Sequence, residues 1–156
     1  MKICIAIADA SRARLFQLER TDDPDGVHET LEERTDLVNP ARRLRPAQLF
    51  SSSPGAARAG DLRFGFDDHR AEHLAKMDAD FARDIAKAIA AQIDATRPKR
   101  LILCASPAML GELRGVGDAY RLPDVSVDEM PRDLVKLTSA LLRDQLASYG
   151  LLPPAP

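Results

Sequence analysis

The sequence predicts an α/β domain: a three-layer arrangement with a mixed sheet and helices on both faces, in the element order βββαβαβα. Three observations carry this expectation. Residues 2–8, apolar from Ile3 onward, form a run too short for a helix and stopped by Asp9. Two turn clusters then divide the residues up to 38 into strands. Beyond residue 68, an alanine-rich stretch places apolar residues every three or four positions, and two shorter strand–helix units follow.

Each element has a local reason. Ile3, Ile5 and Ile7 alternate with Cys4, Ala6 and Ala8, and both sets are apolar, so the first strand is covered on both faces and sits centrally. Asp9-Ala10-Ser11 reads as a turn. Arg12–Glu19, with Leu15, Phe16 and Leu18, reads as a half-exposed second strand. Thr21-Asp22-Asp23-Pro24-Asp25-Gly26 is dense turn chemistry. Val27–Val38 is then a third strand, polar on one face and near a sheet edge. Short turns make these three strands antiparallel.

Residues 39–68 carry neither period. They contain Pro40, Pro46 and Pro54, Gly55, Gly60 and Gly65, and consecutive serines at 51–53. A loop of this length inside a compact domain is usually functional or disordered. A helix is expected from about Asp68, with Leu74, Met77, Phe81, Ile85, Ile89 and Ile93 as its core stripe. Arg100–Ala105, between Pro98 and Pro107, reads as a buried strand. Ser106-Pro107 fits an N-cap and first helical residue, opening a short helix to about Arg114. Val125–Asp128 is the last strand. Pro131 then opens a C-terminal helix with Leu134, Leu137, Leu141, Leu142 and Leu146 on one stripe. Strands entered through helices join in parallel with the first.

Composition bounds the function classes. The chain has 156 residues, enough for one domain over 1–156, with 45% hydrophobic and 29% charged residues. No apolar run approaches the ~20 residues of a membrane helix. The N-terminus is explained by a buried strand rather than a signal peptide, so a cytoplasmic location without membrane attachment is expected. Cys4 and Cys104 lie in strand-like runs and read as reduced core thiols. With no CxxC or Cys/His cluster, neither a structural zinc nor another cofactor is implied. The net charge is −2, but it is unevenly spread. Residues 41–70 hold Arg42, Arg43, Arg45, Arg58, Arg63 and Arg70 against Asp61, Asp67 and Asp68, a local +3. The rest carries 16 basic and 21 acidic residues. A basic segment therefore sits on an acidic body.

Three stretches carry a family resemblance. Ala8-Asp9-Ala10-Ser11-Arg12-Ala13-Arg14-Leu15-Phe16 follows an "ADxxRARxF" pattern. Phe81-Ala82-Arg83-Asp84-Ile85-Ala86, on the helix that also carries His73, and Leu101–Pro107 running into Leu110-Gly111-Glu112-Leu113-Arg114 are the other two. Asp133-Leu134-Val135-Lys136-Leu137-Thr138 fits the family's C-terminal region. In these the chain resembles the bacterial host attachment protein family, named for a proposed role in attachment to host cells. That family is similar to the central domain of archaeal and eukaryotic peptide-release factors. The resemblance implies a ribonuclease-H-like topology. Release factors carry Gly-Gly-Gln in the loop before the first long helix. The corresponding loop here holds Gln48, Gly55, Gly60 and Gly65 but no such tripeptide. What the resemblance implies is a basic loop suited to RNA phosphates, with the ribosome or a structured RNA as partner.

Several residues are candidates for chemistry. The six arginines of 41–70 can contact phosphates, with Phe50, Phe64 and Phe66 available for base stacking; the alternative is a solvated loop. Asp9, at the end of the first strand, suits a two-metal nuclease only with further acids such as Glu72, Asp78 or Asp80; otherwise it is a turn residue or a partner of Arg12 or Arg14. Ser106 is an N-cap, or part of a small-anion site with Asp9, Ser11, Arg12 and Arg14. His69 and His73, four apart, match the order HxxEH of an inverted zincin motif, against surface histidines as the plainer reading. Three functions result: a non-enzymatic RNA- or ribosome-associated domain, a protein-interaction module linked to attachment, and a metal-dependent or serine hydrolase.

Overall fold

A computed structural model describes residues 1–43 and 60–156. A five-stranded mixed sheet runs in the order β3-β2-β1-β4-β5. Its strands are β1 (Lys2–Ala8), β2 (Arg12–Asp23), β3 (Gly26–Val38), β4 (Arg100–Ala105) and β5 (Ser126–Met130). β1 is antiparallel to β2 and parallel to β4, and β4 is parallel to β5. The helices among the described residues are α1 (Pro40–Arg43), α2 (Gly60–Thr96), α3 (Pro107–Gly115) and α4 (Ser139–Ser148), with a 3₁₀ turn at Gly117–Ala119.

The doubly apolar pattern of β1 places it at the centre. Cys4, Ala6 and Ala8 point to one face, where Phe81, Ile85, Ile89 and Ile93 of α2 and Met109, Leu110 and Leu113 of α3 cover them. Ile3, Ile5 and Ile7 point to the other, under Leu142 and Leu146 of α4, with Leu134, Val135 and Leu152. On the α2 face, Gln92 reaches across the core and its Nε2 donates to the Phe16 carbonyl at 2.9 Å.

β3 contains a bulge. Leu15 pairs with Thr35 while Phe16 pairs with Glu33, which leaves Arg34 as the extra residue. The extra residue reverses the alternation. Leu31 therefore packs on the α4 face and Leu37 on the α2 face, although six positions separate them.

Besides β2, whose Ala13–Leu18 stretch is buried rather than half-exposed because it lies between β1 and β3 under helices on both faces, three expectations need correcting. The loop expected over 39–68 is shorter: α1 occupies 40–43, and α2 begins at Gly60 rather than near Asp68. Once a helix is nucleated, a glycine inside it costs only about 1 kcal/mol, so Gly65 does not stop it. Leu74 and Met77 are half-buried and belong to neither core; among the described residues the buried stripe of α2 starts at Phe81. Finally, residues 131–138 are not helical. α4 starts after Thr138, whose Oγ1 accepts from the Leu141 N–H at 3.3 Å. The preceding carbonyls of Val135 and Leu137 instead accept from Arg14 Nη1 at 2.9 and 2.6 Å, which removes the need for a helix there. Leu141 is consequently 52% exposed.

Candidate functional site

The candidate residues gather at the carboxyl ends of β1 and β4. There the chain leaves β1 through the Asp9–Arg12 turn and leaves β4 into α3. Asp9 is used locally: its Oδ1 accepts from the N–H groups of Ser11 and Arg12 at 2.7 and 2.8 Å. The Asp9 N–H donates to the Arg12 carbonyl at 2.9 Å, closing the turn. This is the plainer of the two readings of Asp9. Ser106 caps α3, with Oγ accepting from the Met109 N–H at 3.4 Å, and its own N–H donates to Ala8 O at 3.1 Å.

The arginines beside the turn are engaged. Arg12 forks onto Asp36 at 2.8 and 2.5 Å, and its hydrogen bond holds the Asp36 carboxyl below its ordinary pKa. Arg14 is buried. It pairs with Glu33 at 2.6 Å, besides its bonds to the Val135 and Leu137 carbonyls. Arg14 thus anchors the 131–138 segment.

Asn39 joins the turn to the basic segment. It is 1% exposed. Its Nδ2 donates to Ala10 O at 2.9 Å and to Asp78 Oδ1 at 3.0 Å, and its N–H donates to Ser11 O at 2.9 Å. Its Oδ1 accepts from the Ala41 N–H at 3.2 Å, capping α1, whose first residue is Pro40. Arg42 then forks onto Asp78 of α2, Nε at 3.2 Å and Nη2 at 2.7 Å. That hydrogen bond raises the Arg42 pKa further above its ordinary value. Sequence reasoning treated Arg42 as a phosphate ligand and overlooked Asn39. The signal was present: an Asn immediately before Pro is a helix-start signature.

The other candidates are scattered. Arg43 closes α1, and Arg63 lies within α2; their side chains lie outside the described residues. So do Arg45 and Arg58 entirely, together with Gln48, Phe50 and Gly55, and the side chains of Phe64 and Phe66. Arg70 is half-buried on α2. His69 and His73 are exposed one turn apart, and among the described residues no group of three metal-binding side chains forms. Asp80 pairs with Arg83 at 2.6 Å. Cys4 and Cys104 are buried free thiols, each pushed up to about 12 by burial, which leaves them unreactive. No helix among the described residues is long and apolar enough to cross a membrane.

Residues 4–146 match the family model described as "protein required for attachment to host cells". None of the curated proteins matches the chain. Among solved structures, the chain is similar to the type II variant of the Aquifex aeolicus Ppx/GppA phosphatase. The TM-score is 0.41 at 12% identity, over 83% of this chain and 36% of that one. The chain thus spans about a third of that protein's length.

Proposed function

The chain belongs to the family of proteins required for attachment to host cells, and from that premise we propose a non-enzymatic, RNA- or ribosome-associated domain of the cytoplasm. It contacts phosphates through the 39–70 segment, with Arg43, Arg45, Arg58, Arg63 and Arg70 as the contacting side chains. The observation that carries this reading is the mounting of the segment. A six-arginine stretch is tied at its start to the β1–β2 turn and to α2 by the buried Asn39, and its end is continuous with the long helix α2. A rigid scaffold carrying a basic segment is a suitable phosphate-binding arrangement.

We further propose that the sheet, with its order β3-β2-β1-β4-β5 and single antiparallel-to-parallel change at β1, is a ribonuclease-H-like relative of the release-factor central domain without Gly-Gly-Gln. Asp9 and Ser106 give side-chain acceptors to backbone N–H groups, which favours binding over hydrolysis. A second reading, a protein-interaction module linked to attachment, is favoured by the description of the family itself.

Ribosome co-sedimentation between about 50 and about 200 mM salt separates the two, because phosphate contacts make affinity fall steeply with salt. The RNA reading expects salt-sensitive co-sedimentation that is lost when Arg43, Arg45 and Arg58 are replaced by Glu. Absence of co-sedimentation at the lowest salt overturns it in favour of a protein partner.

A further inference from the structure

We infer a second binding site at the amino ends of β4 and β5: a small cavity that takes a free amino acid with an aliphatic side chain. It lies at the opposite end of β4 from Ser106 and shares no residue with the site described above. The cavity measures about 320 Å³, at the small end of the usual range for small-molecule sites. Its apolar lining is Ile93 and Pro98, both buried, Val125, half-buried, and Leu122, 45% exposed. Its charged lining is Arg97, Lys99 and Asp124. The backbone sets the walls. α2 ends where Arg97 takes a φ of 51°, its N–H still donating to the Ile93 carbonyl at 2.9 Å. The Lys99 N–H donates to the Lys2 carbonyl at 3.1 Å, the Ser126 N–H to the Lys99 carbonyl at 3.1 Å, and the Val125 N–H to the Leu122 carbonyl at 3.2 Å. The chain on each side is therefore held before any ligand arrives, which leaves little ordering cost for binding.

The charges choose the ligand. Arg97 is drawn off by Asp94, at 3.4 Å. Lys99 and Asp124 are opposite in sign, and among the described residues neither forms an ion pair, with the other or with any third side chain. A ligand that brings one anion and one cation to the same apolar cavity matches both. An amino acid carries the two on a single carbon. Its carboxylate meets the Lys99 ammonium, its ammonium meets the Asp124 carboxylate, and a branched aliphatic side chain covers Ile93, Pro98, Leu122 and Val125. Covering Leu122 removes apolar surface from water, which favours binding. A simple carboxylic acid or a simple amine would answer only one of the two charges.

The inference is tested by amide NMR spectra of the isotope-labelled full chain. The ligands are L-leucine, isocaproate, which is leucine without its ammonium, and isoamylamine, which is leucine without its carboxylate. L-leucine is expected to shift the amides of Lys99, Leu122, Asp124 and Val125 saturably, with a dissociation constant on the order of 1 mM for so small a ligand. Each analogue binds about fivefold more weakly, the size of one partly solvated ion pair. Lys99→Gln weakens L-leucine and isocaproate about fivefold and leaves isoamylamine as it was. Asp124→Asn weakens L-leucine and isoamylamine to the same extent and leaves isocaproate as it was. Both residues are exposed, so neither substitution touches the core. The absence of a saturable shift at these amides with about 20 mM L-leucine overturns the inference. Either analogue bound as tightly as L-leucine overturns it too, because one of the two charges then has no part. So does a variant that weakens all three ligands alike, since its effect then does not follow the charge on the ligand.

Discussion

The two faces of the sheet are built on opposite plans. On the α2 face the strand β1 offers small residues, Cys4, Ala6 and Ala8, and the helix supplies bulk through Phe81, Ile85, Ile89 and Ile93. On the α4 face β1 supplies the bulk as Ile3, Ile5 and Ile7, and the cover is a short helix flanked by irregular chain. A regular helix satisfies most of its own backbone groups, so α2 needs little beyond packing. The irregular cover leaves carbonyls without internal partners, and arginines supply the donors. Arg14 bonds Val135 and Leu137, Arg100 bonds Leu151 at 2.5 Å, Arg143 bonds Pro153 at 2.7 Å, and Arg20 bonds Pro154 at 3.2 Å. The α2 face is held by packing with the side-chain-to-carbonyl bond from Gln92 to Phe16, and the other by packing plus a set of guanidinium-to-carbonyl bonds.

Four experiments sharpen or break this contrast. The largest effect is expected from Glu29→Ala. Glu29 and Arg143 form a pair in which each side chain is 8% exposed, at 2.6 and 2.8 Å. Removing the acid strands the cation and should cost about 3–5 kcal/mol, read from urea denaturation. A cost within surface-pair range would mean that the α4 face does not depend on its arginines. Next comes Ala6→Leu, which drives bulk into the tight α2 face and should cost about 1–3 kcal/mol. Ile5→Val on the opposite side of the same strand should cost only about 0.5–1.5 kcal/mol. Equal losses would dissolve the asymmetry. Ser106→Ala and Thr138→Ala remove one cap from each face and should each lower stability by about 1 kcal/mol.

The smallest effect is the acid dependence. Burial pushes the Glu29 carboxyl up, but hydrogen bonds and charge from Arg143 and Arg20 outweigh it and hold the pKa below its ordinary value; Arg12 does the same for Asp36. Carboxyls depressed in the folded state bind protons more readily when unfolded. Their stabilisation is complete above the ordinary carboxyl range and disappears as pH falls through the folded values, from about pH 4.3 downward. Glu29→Gln should flatten that decline in a pH series of thermal melts, while Ser106→Ala leaves its slope as it was.

Legibility in the sequence followed the same division. β1 and β4 were readable to the residue, because a strand apolar on both sides and bounded by prolines or an Asp admits few alternatives. Ser106-Pro107 announced α3 by local chemistry alone. The 131–138 segment was misread, since Leu134 and Leu137 do fall at helical spacing. What decides its conformation is a guanidinium more than a hundred residues earlier. The start of α2 was hidden by Gly60 and Gly65, which fall before the first residues at helical spacing, Leu74 and Met77. At the candidate site, Asp9 and Ser106 carried local signals that the structure resolves as a turn and a cap. The link between Arg42 and Asp78 spans 36 residues and no periodicity reports it.

The extra residue in β3 has a consequence for self-association. β3 is a thirteen-residue strand at the margin of the sheet, the kind of border on which foreign strands can zip. Arg34 breaks its pleat midway, and Glu32, Asp36 and Arg34 itself are exposed along it. An incoming strand would meet a change of register and a row of charge instead of a flat ribbon. The same kink that carries Leu37 to the α2 core thereby works against edge-to-edge strand addition along β3.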